Sequence, residues 1–200
     1  MPKQDSDTDL KVITPEGVVC FPHVWEAHAF QAGQEPSFSL ILVFPEGTDI
    51  TDLKRAAGRA AMAKWGDKTK AMLKAGQLRM PWRDGAEYAD YGEPFVEGAT
   101  FVTAKTKQAP GIVNERAKPI MNQMDFYAGC LGRMSVYCHA YDTMGNKGVT
   151  LLLNNVQKTG EGSRLSGRMK AEDEFQPVAG KGGGKGGKSA VDDMDDDIPF

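Results

Sequence analysis

Apolar positions change their period several times along this chain, and each change marks an element. Val12 to Cys20 carries Val, Ile and Cys on either side of a Pro15-Glu16-Gly17 turn, which predicts strand, kink, strand. Phe38 to Phe44 reads FSLILVF, an unbroken apolar run of strand length that Pro45 stops. A strand of that kind is buried on both faces. From Leu53 the period lengthens: Leu53, Ala56, Ala57, Ala60, Ala61 and Trp65 recur at three and four, giving a helix with one apolar stripe. Asp49 or Thr51 can cap it, and Asp52 in its first turn suits the helix dipole. Gly66-Asp67 interrupts, and Lys68 to Ala75 predicts a second short helix ending at Gly76.

Residues 77–98 lose the pattern and read as a long ordered loop, with turns at Pro81 and Asp84-Gly85. The loop is unusually aromatic, holding Trp82, Tyr88, Tyr91 and Phe95. Strict alternation then sets in from Thr100 to Lys107, with Phe101, Thr103, Lys105 and Lys107 on one face and Val102, Ala104 and Thr106 on the other. It returns from Leu131 to Tyr141: Gly132, Met134, Val136, Cys138 and Ala140 form a small apolar face, opposite Arg133, Ser135, Tyr137, His139 and Tyr141. Met144 to Gly148 is a hairpin turn, and Val149 to Val156 comes back as a strand. Between 107 and 130 the pattern does not place Arg116 or Lys118, and residues 158–174 are polar enough to skirt the body. Five strands with a helix inserted midway and small inward residues fit a mainly β fold, the five-stranded Greek-key OB-fold barrel.

Two hundred residues, forty per cent of them hydrophobic, suffice for one core. The expected organisation is a disordered start at 1–9, a single OB-fold domain over 10–179 and a linker with an acidic tail over 180–200. The net charge of −3 argues against a generally basic surface, but its distribution is uneven. Residues 51–85 carry nine Lys and Arg against three Asp, whereas residues 86–98 carry four acids and no base. A local positive field attracts phosphate even when the total is negative. Cys20, Cys130 and Cys138 form no paired pattern, and no long apolar run or signal peptide is present, so reduced thiols and a cytoplasmic location are expected, without membrane contact.

Several chemistries were open to these residues. Cys20-Phe-Pro-His23 followed by His28 suggests zinc, but no second ligand pair stands at finger spacing, so no metal and no cofactor is expected. Asp84, Glu87, Asp90 and Glu93 recur every three residues, which keeps a metal-dependent nuclease as an alternative. The stronger pattern is aromatic and basic together. Phe101 with Lys105 and Lys107, and Arg133 with Tyr137, combine cations that neutralise phosphates with rings on which unpaired bases stack. Trp82, Arg83, Tyr88 and Tyr91 in the aromatic loop, and Arg116 by its charge, complete the candidate single-strand surface. The basic flank of the helix, with Lys54, Arg55, Arg59 and Lys64, is a solvated face that could also touch phosphates.

Two resemblances extend this. The run Phe126-Tyr127-Ala128-Gly129 through Tyr141, with Asn146-Lys147-Gly148-Val149 and Leu153-Asn154-Asn155-Val156-Gln157, resembles a phage-encoded family of OB-fold single-stranded DNA-binding proteins, and Pro81, Asp84 and Gly85 suit the same pattern. It implies sequence-independent binding of single strands in replication, recombination or repair inside the infected bacterial host, without catalysis. The last residues, SAVDDMDDDIPF, closely resemble the acidic tip of bacterial single-stranded DNA-binding proteins, which recruits replication and repair proteins. That resemblance assigns partner binding to Asp192, Asp193, Asp195, Asp196, Asp197, Ile198, Pro199 and Phe200. The chain lacks the tetramer-forming bacterial body, which leaves the oligomeric state, a homodimer included, open. About a dozen flexible residues, beginning with the GKGGGKGGK tether of Gly180 to Lys188, link the body to the acids and give the tip a reach of about 20 Å, so it is expected to compete with DNA for the body's cations. The rival readings are a strand-annealing recombination protein, the nuclease, and an adaptor whose tip alone carries function.

Overall fold

The computed structural model describes residues 10–29 and 31–165; the expected frayed start, the Gly/Lys linker and the acidic tail lie outside the described residues. The described strands are β1 (Lys11–Ile13), β2 (Gly17–His28), β3 (Ser37–Phe44), β4 (Trp82–Asp84), β5 (Thr100–Thr106), β6 (Gly111–Val113), β7 (Leu131–Thr143) and β8 (Asn146–Gly160). Two helices, α1 (Thr51–Trp65) and α2 (Lys68–Lys74), lie between β3 and β4.

Five of these strands close into a ring. β7 pairs with β2, β2 with β3, β3 with β5, β5 with β8, and β8 returns to β7. Only β5 and β8 run parallel within it, through Ala104–Leu151 and Lys105–Leu152. Counted along the chain, the ring order is first, second, third, fifth, fourth, which is the Greek-key closure of an OB-fold. β1 and β6 extend the sheet beyond the ring at β7 and β8. β7 and β8 are joined by Met144-Gly145, both at positive φ (49° and 83°), the two-residue turn whose twist matches that of the strands.

The barrel fills as its alternation predicts. Val19, Leu40, Leu42, Phe44, Val102, Met134, Val136 and Leu151 are buried in one cluster with the α1 stripe of Leu53, Ala56, Ala57, Ala60 and Ala61. Alanines bring that helix close to the wall, where it packs on β1, β7 and β8. Neither expected residue holds the cap position, which falls to Ile50 with no side-chain cap; the Asp49 carboxylate just before it accepts from the Thr51 N–H at 2.8 Å.

The outer face of β3 is buried as well. Ile41 and Val43 join Cys20, Phe95, Ala99 and Phe101 in a second cluster, and this explains why FSLILVF does not alternate. Its cover comes from residues 77–98, which the sequence pattern reads as a loop. The segment instead contains β4, laid along the β5 edge at Thr100–Val102, and a 3₁₀ segment over Gly85–Tyr91. The stretch beyond Lys107 also holds β6, and Lys158, expected in a polar skirt, sits buried within β8. The cysteines are free and buried, and burial pushes the Cys20 thiol up to about 12 and that of Cys138 up to about 11.

Phe101, with none of its surface exposed, is the middle of the second cluster. Phe101→Ala should therefore cost about 3–5 kcal/mol of unfolding free energy, measured from the shift in urea midpoint.

Candidate nucleic-acid interface

The outward positions of β5 are Phe101, Thr103 and Lys105, and their fates differ. Tyr88 stacks on Phe101 with ring centroids 4.7 Å apart, Phe95 meets it edge-on at 5.6 Å, and the Arg83 guanidinium lies 5.2 Å from its centroid. Phe101 thus supports a roof and offers no open ring face. The roof is pinned by Gly85 N–H donating to the Ala99 carbonyl at 2.7 Å and by Asp84, whose carboxylate accepts from Ala86 N–H at 2.8 Å.

Beyond the roof, Thr103 and Lys105 open into a cleft of about 650 Å³. Its other walls are Arg79, Met80, Pro81, Arg83, Glu87, Tyr88, Tyr141, Val149 and Thr150. Arg83 donates through Nε to Glu87 at 2.8 Å, and its guanidinium lies 5.3 Å from the Tyr88 ring. The hydrogen bond from Arg83 holds the Glu87 carboxyl below the usual carboxylate range, so the pair stays ionised. Arg79 arrives by a backbone bridge: its N–H donates to the Lys147 carbonyl at 3.0 Å, and its carbonyl accepts from Val149 N–H at 2.9 Å. That approach needs Gly148. A Cβ there would stand 2.4 Å from the Arg79 carbonyl oxygen and 2.9 Å from the Tyr141 hydroxyl.

From this cleft a row of side chains crosses the sheet. Lys105 is in register with Leu152, Leu152 with Tyr137, and Tyr137 with Lys11. Leu152 is 42% exposed, and the Lys11 ammonium lies 5.7 Å from the Tyr137 ring centroid. Arg133 is on the same face of β7, two outward positions from Tyr137. Its Nε donates to Gln157 Oε1 at 2.8 Å, and Gln157 Nε2 donates to the Asn114 carbonyl at 3.0 Å. The Asn114–Lys118 turn that carries Arg116 is thereby fastened beside Arg133.

Lys105, Tyr137, Arg133 and the Arg116 turn therefore share one outward sheet face, and Arg83 and Tyr88 line its cleft. The remaining candidates lie elsewhere. Lys107 follows the last residue of β5 and is ion-paired with Glu35. Trp82 packs half-buried on the main core. Tyr91, 64% exposed, meets Phe21 edge-on at 5.2 Å in a separate apolar pocket of about 350 Å³. Arg79, Tyr141, Thr150 and Lys11 join the surface without having been singled out for it in the sequence. For Tyr141 the signal was its place on the outward face of β7. The carboxylates in the loop are engaged locally, Asp84 by a backbone N–H and Glu87 by Arg83. Among the described residues, no group of three or more His, Cys, Asp or Glu is placed to hold a metal ion, and His23 and His28 stack on each other at 4.7 Å. Among the described residues, no helix is long and apolar enough to cross a membrane.

Comparison with known proteins gives a consistent result. The family model described as the ssDNA-binding protein of Enterobacter phage Enc34 matches residues 10–184. The single-stranded DNA-binding protein from bacteriophage Enc34 in complex with ssDNA superposes with a TM-score of 0.63 at 17% identity, covering 82% of this chain and 97% of that one. Another structure of that bacteriophage Enc34 protein gives 0.60 at 17% identity, covering 88% and 97%. The single-stranded DNA-binding protein gp2.5 of bacteriophage T7 gives 0.53 at 12% identity, covering 82% and 91%. No curated protein matches the sequence.

Gly148→Ala should force the Arg79 bridge off β8, costing about 1–3 kcal/mol of stability. Hydrogen exchange at the Arg79 and Val149 amides should accelerate more than exchange at the β7–β8 turn.

Proposed function

Because the chain belongs to the family of the ssDNA-binding protein of Enterobacter phage Enc34, we propose that it binds single-stranded DNA without sequence preference and without catalysis. It would protect exposed strands during phage replication, recombination and repair in the infected bacterial cell. The observation that carries this reading is the outward surface on which cations and rings alternate. Arg79, Arg83 and Lys105 surround the cleft with Tyr88 and Tyr141, and the row continues through Leu152 to Tyr137. Unpaired bases expose faces that stack on rings for about 1–3 kcal/mol each, whatever the base. The cations neutralise phosphates that would otherwise repel one another as the strand is laid down. In this reading Phe101 acts indirectly, holding Tyr88 in place from below.

The acidic residues 189–200 fit the same electrostatics. Five aspartates near a surface built for phosphate compete for its Lys and Arg. DNA displaces them, and Ile198-Pro199-Phe200 is then available to replication and recombination proteins that offer an apolar pocket rimmed by cations.

Binding of labelled oligo-dT and of mixed-sequence oligonucleotides, followed by anisotropy across a salt series, tests the body. Both should bind alike, and Lys105→Ala should reduce the slope of log K against log salt by about 0.7 with no change in unfolding. No binding at low salt by the full-length chain would overturn the reading. Removing residues 189–200 should tighten binding at low salt, and the gain should shrink as salt rises. Equal affinities at low salt would contradict the competition.

A further inference from the structure

The row of outward side chains does not stop at Tyr137. Its next member, Lys11 on β1, belongs also to a notch of about 290 Å³ between β1 and α1, lined by Lys11, Val12, Ile13, Asp52, Arg55 and Arg59. Three cations face one carboxylate there, and Asp52 is already paired with Arg55 at 2.9 Å. The notch is mainly polar, and Val12 and Ile13 supply what apolar surface it has, Ile13 being 59% exposed and two residues along the strand from Lys11. An excess of cations of this kind suits the phosphates of a strand, with Ile13 at the flank for sugar or base.

The position matters as much as the chemistry. Lys105, Leu152, Tyr137 and Lys11 sit on four neighbouring strands. At about 4.8 Å per strand the row spans about 14 Å, and Lys11 stands at its end, holding its ammonium over the last ring. A strand lying along the row is delivered to the notch without a change of direction.

We propose that this notch is a second phosphate site for the same DNA strand: leaving the sheet over Tyr137, the strand places its next phosphates against Lys11 and Arg59, with Arg55 as the outer rim. The inference rests on the single-strand reading above and extends it by fixing which way the strand runs off the barrel. It also gives the basic flank of α1 a role that its sequence pattern leaves undecided.

Anisotropy with oligo-dT of about 4 to 16 nucleotides, the range of OB-fold site sizes, tests it on the full-length chain. The wild-type protein should gain affinity with length up to a plateau. The Arg55→Gln/Arg59→Gln variant should match it on the shortest oligonucleotides and lose the later rise. On the longest it should bind roughly 20-fold more weakly in 0.1 M salt, as expected for two lost phosphate contacts. Arg59→Gln alone should show a smaller loss in the same length range, and it stands in if the double variant unfolds. The proposal is overturned if both variants gain affinity with length as the wild type does, or if they lose it equally at every length. Absence of binding by the wild type at every length would instead overturn the single-strand reading itself, and this extension with it.

Discussion

β8 has partners on both edges, and the rest of the structure depends on that. Its fifteen residues run antiparallel to β7 for almost their whole length while Leu151 and Leu152 also join β5 in parallel. Two residue pairs are a short seam, yet they convert an open sheet into a closed barrel and leave only the three-residue strands β1 and β6 at the ends of the described sheet. The same seam sets the register that places Lys105 beside Leu152, and the β7–β8 ladder carries it on to Tyr137. Barrel closure and the alignment of Lys105 with the row are therefore one geometric fact, and a slip of one residue at the seam would put Leu152 out of step with Lys105 and break the row there.

The second constraint is the roof. An OB barrel has one inside, but here β3 and β5 are covered on the outside too, by residues drawn from the acidic, aromatic segment after β4. This divides the outer surface of β5 in two. Its first half, around Phe101, is dry and supports stability, while its second half, from Thr103 onward, faces the cleft. Arg83 stands at the boundary, over the rings on one side and against Glu87 on the other. The Coulomb attraction of an exposed pair of this kind is small, so phosphate can compete for that guanidinium at little cost.

Much of this was legible in the chain. The unbroken FSLILVF run implied double-sided burial, the alanine stripe implied a helix lying close to a wall, and the alternation around Met134 and Val136 gave the barrel interior. The family resemblance read from the strand β7–β8 region agrees with the match over residues 10–184. What stayed hidden was non-local. Alternation puts Phe101 on the outward face but cannot say that Tyr88 and Phe95 return to cover it. Arg79 reaches the cleft through a bridge to Gly148, nearly seventy residues away, and no local period encodes it. β1, β4 and β6 have three residues each, too few to show a period, so Lys11 could not be placed in a row before β1 was seen against β7.

The central claim is that one outward face, the cleft and the row that leaves it, carries the strand. Photo-crosslinking of the full-length chain to an oligonucleotide containing 5-bromodeoxyuridine at successive positions, with the modified residues mapped by mass spectrometry, tests it most directly. The account predicts adducts at Tyr88, Tyr141 and Tyr137, moving in order along the face as the bromouridine moves along the strand. Adducts gathered instead at Phe21 and Tyr91, on the far side of the roof, would contradict it.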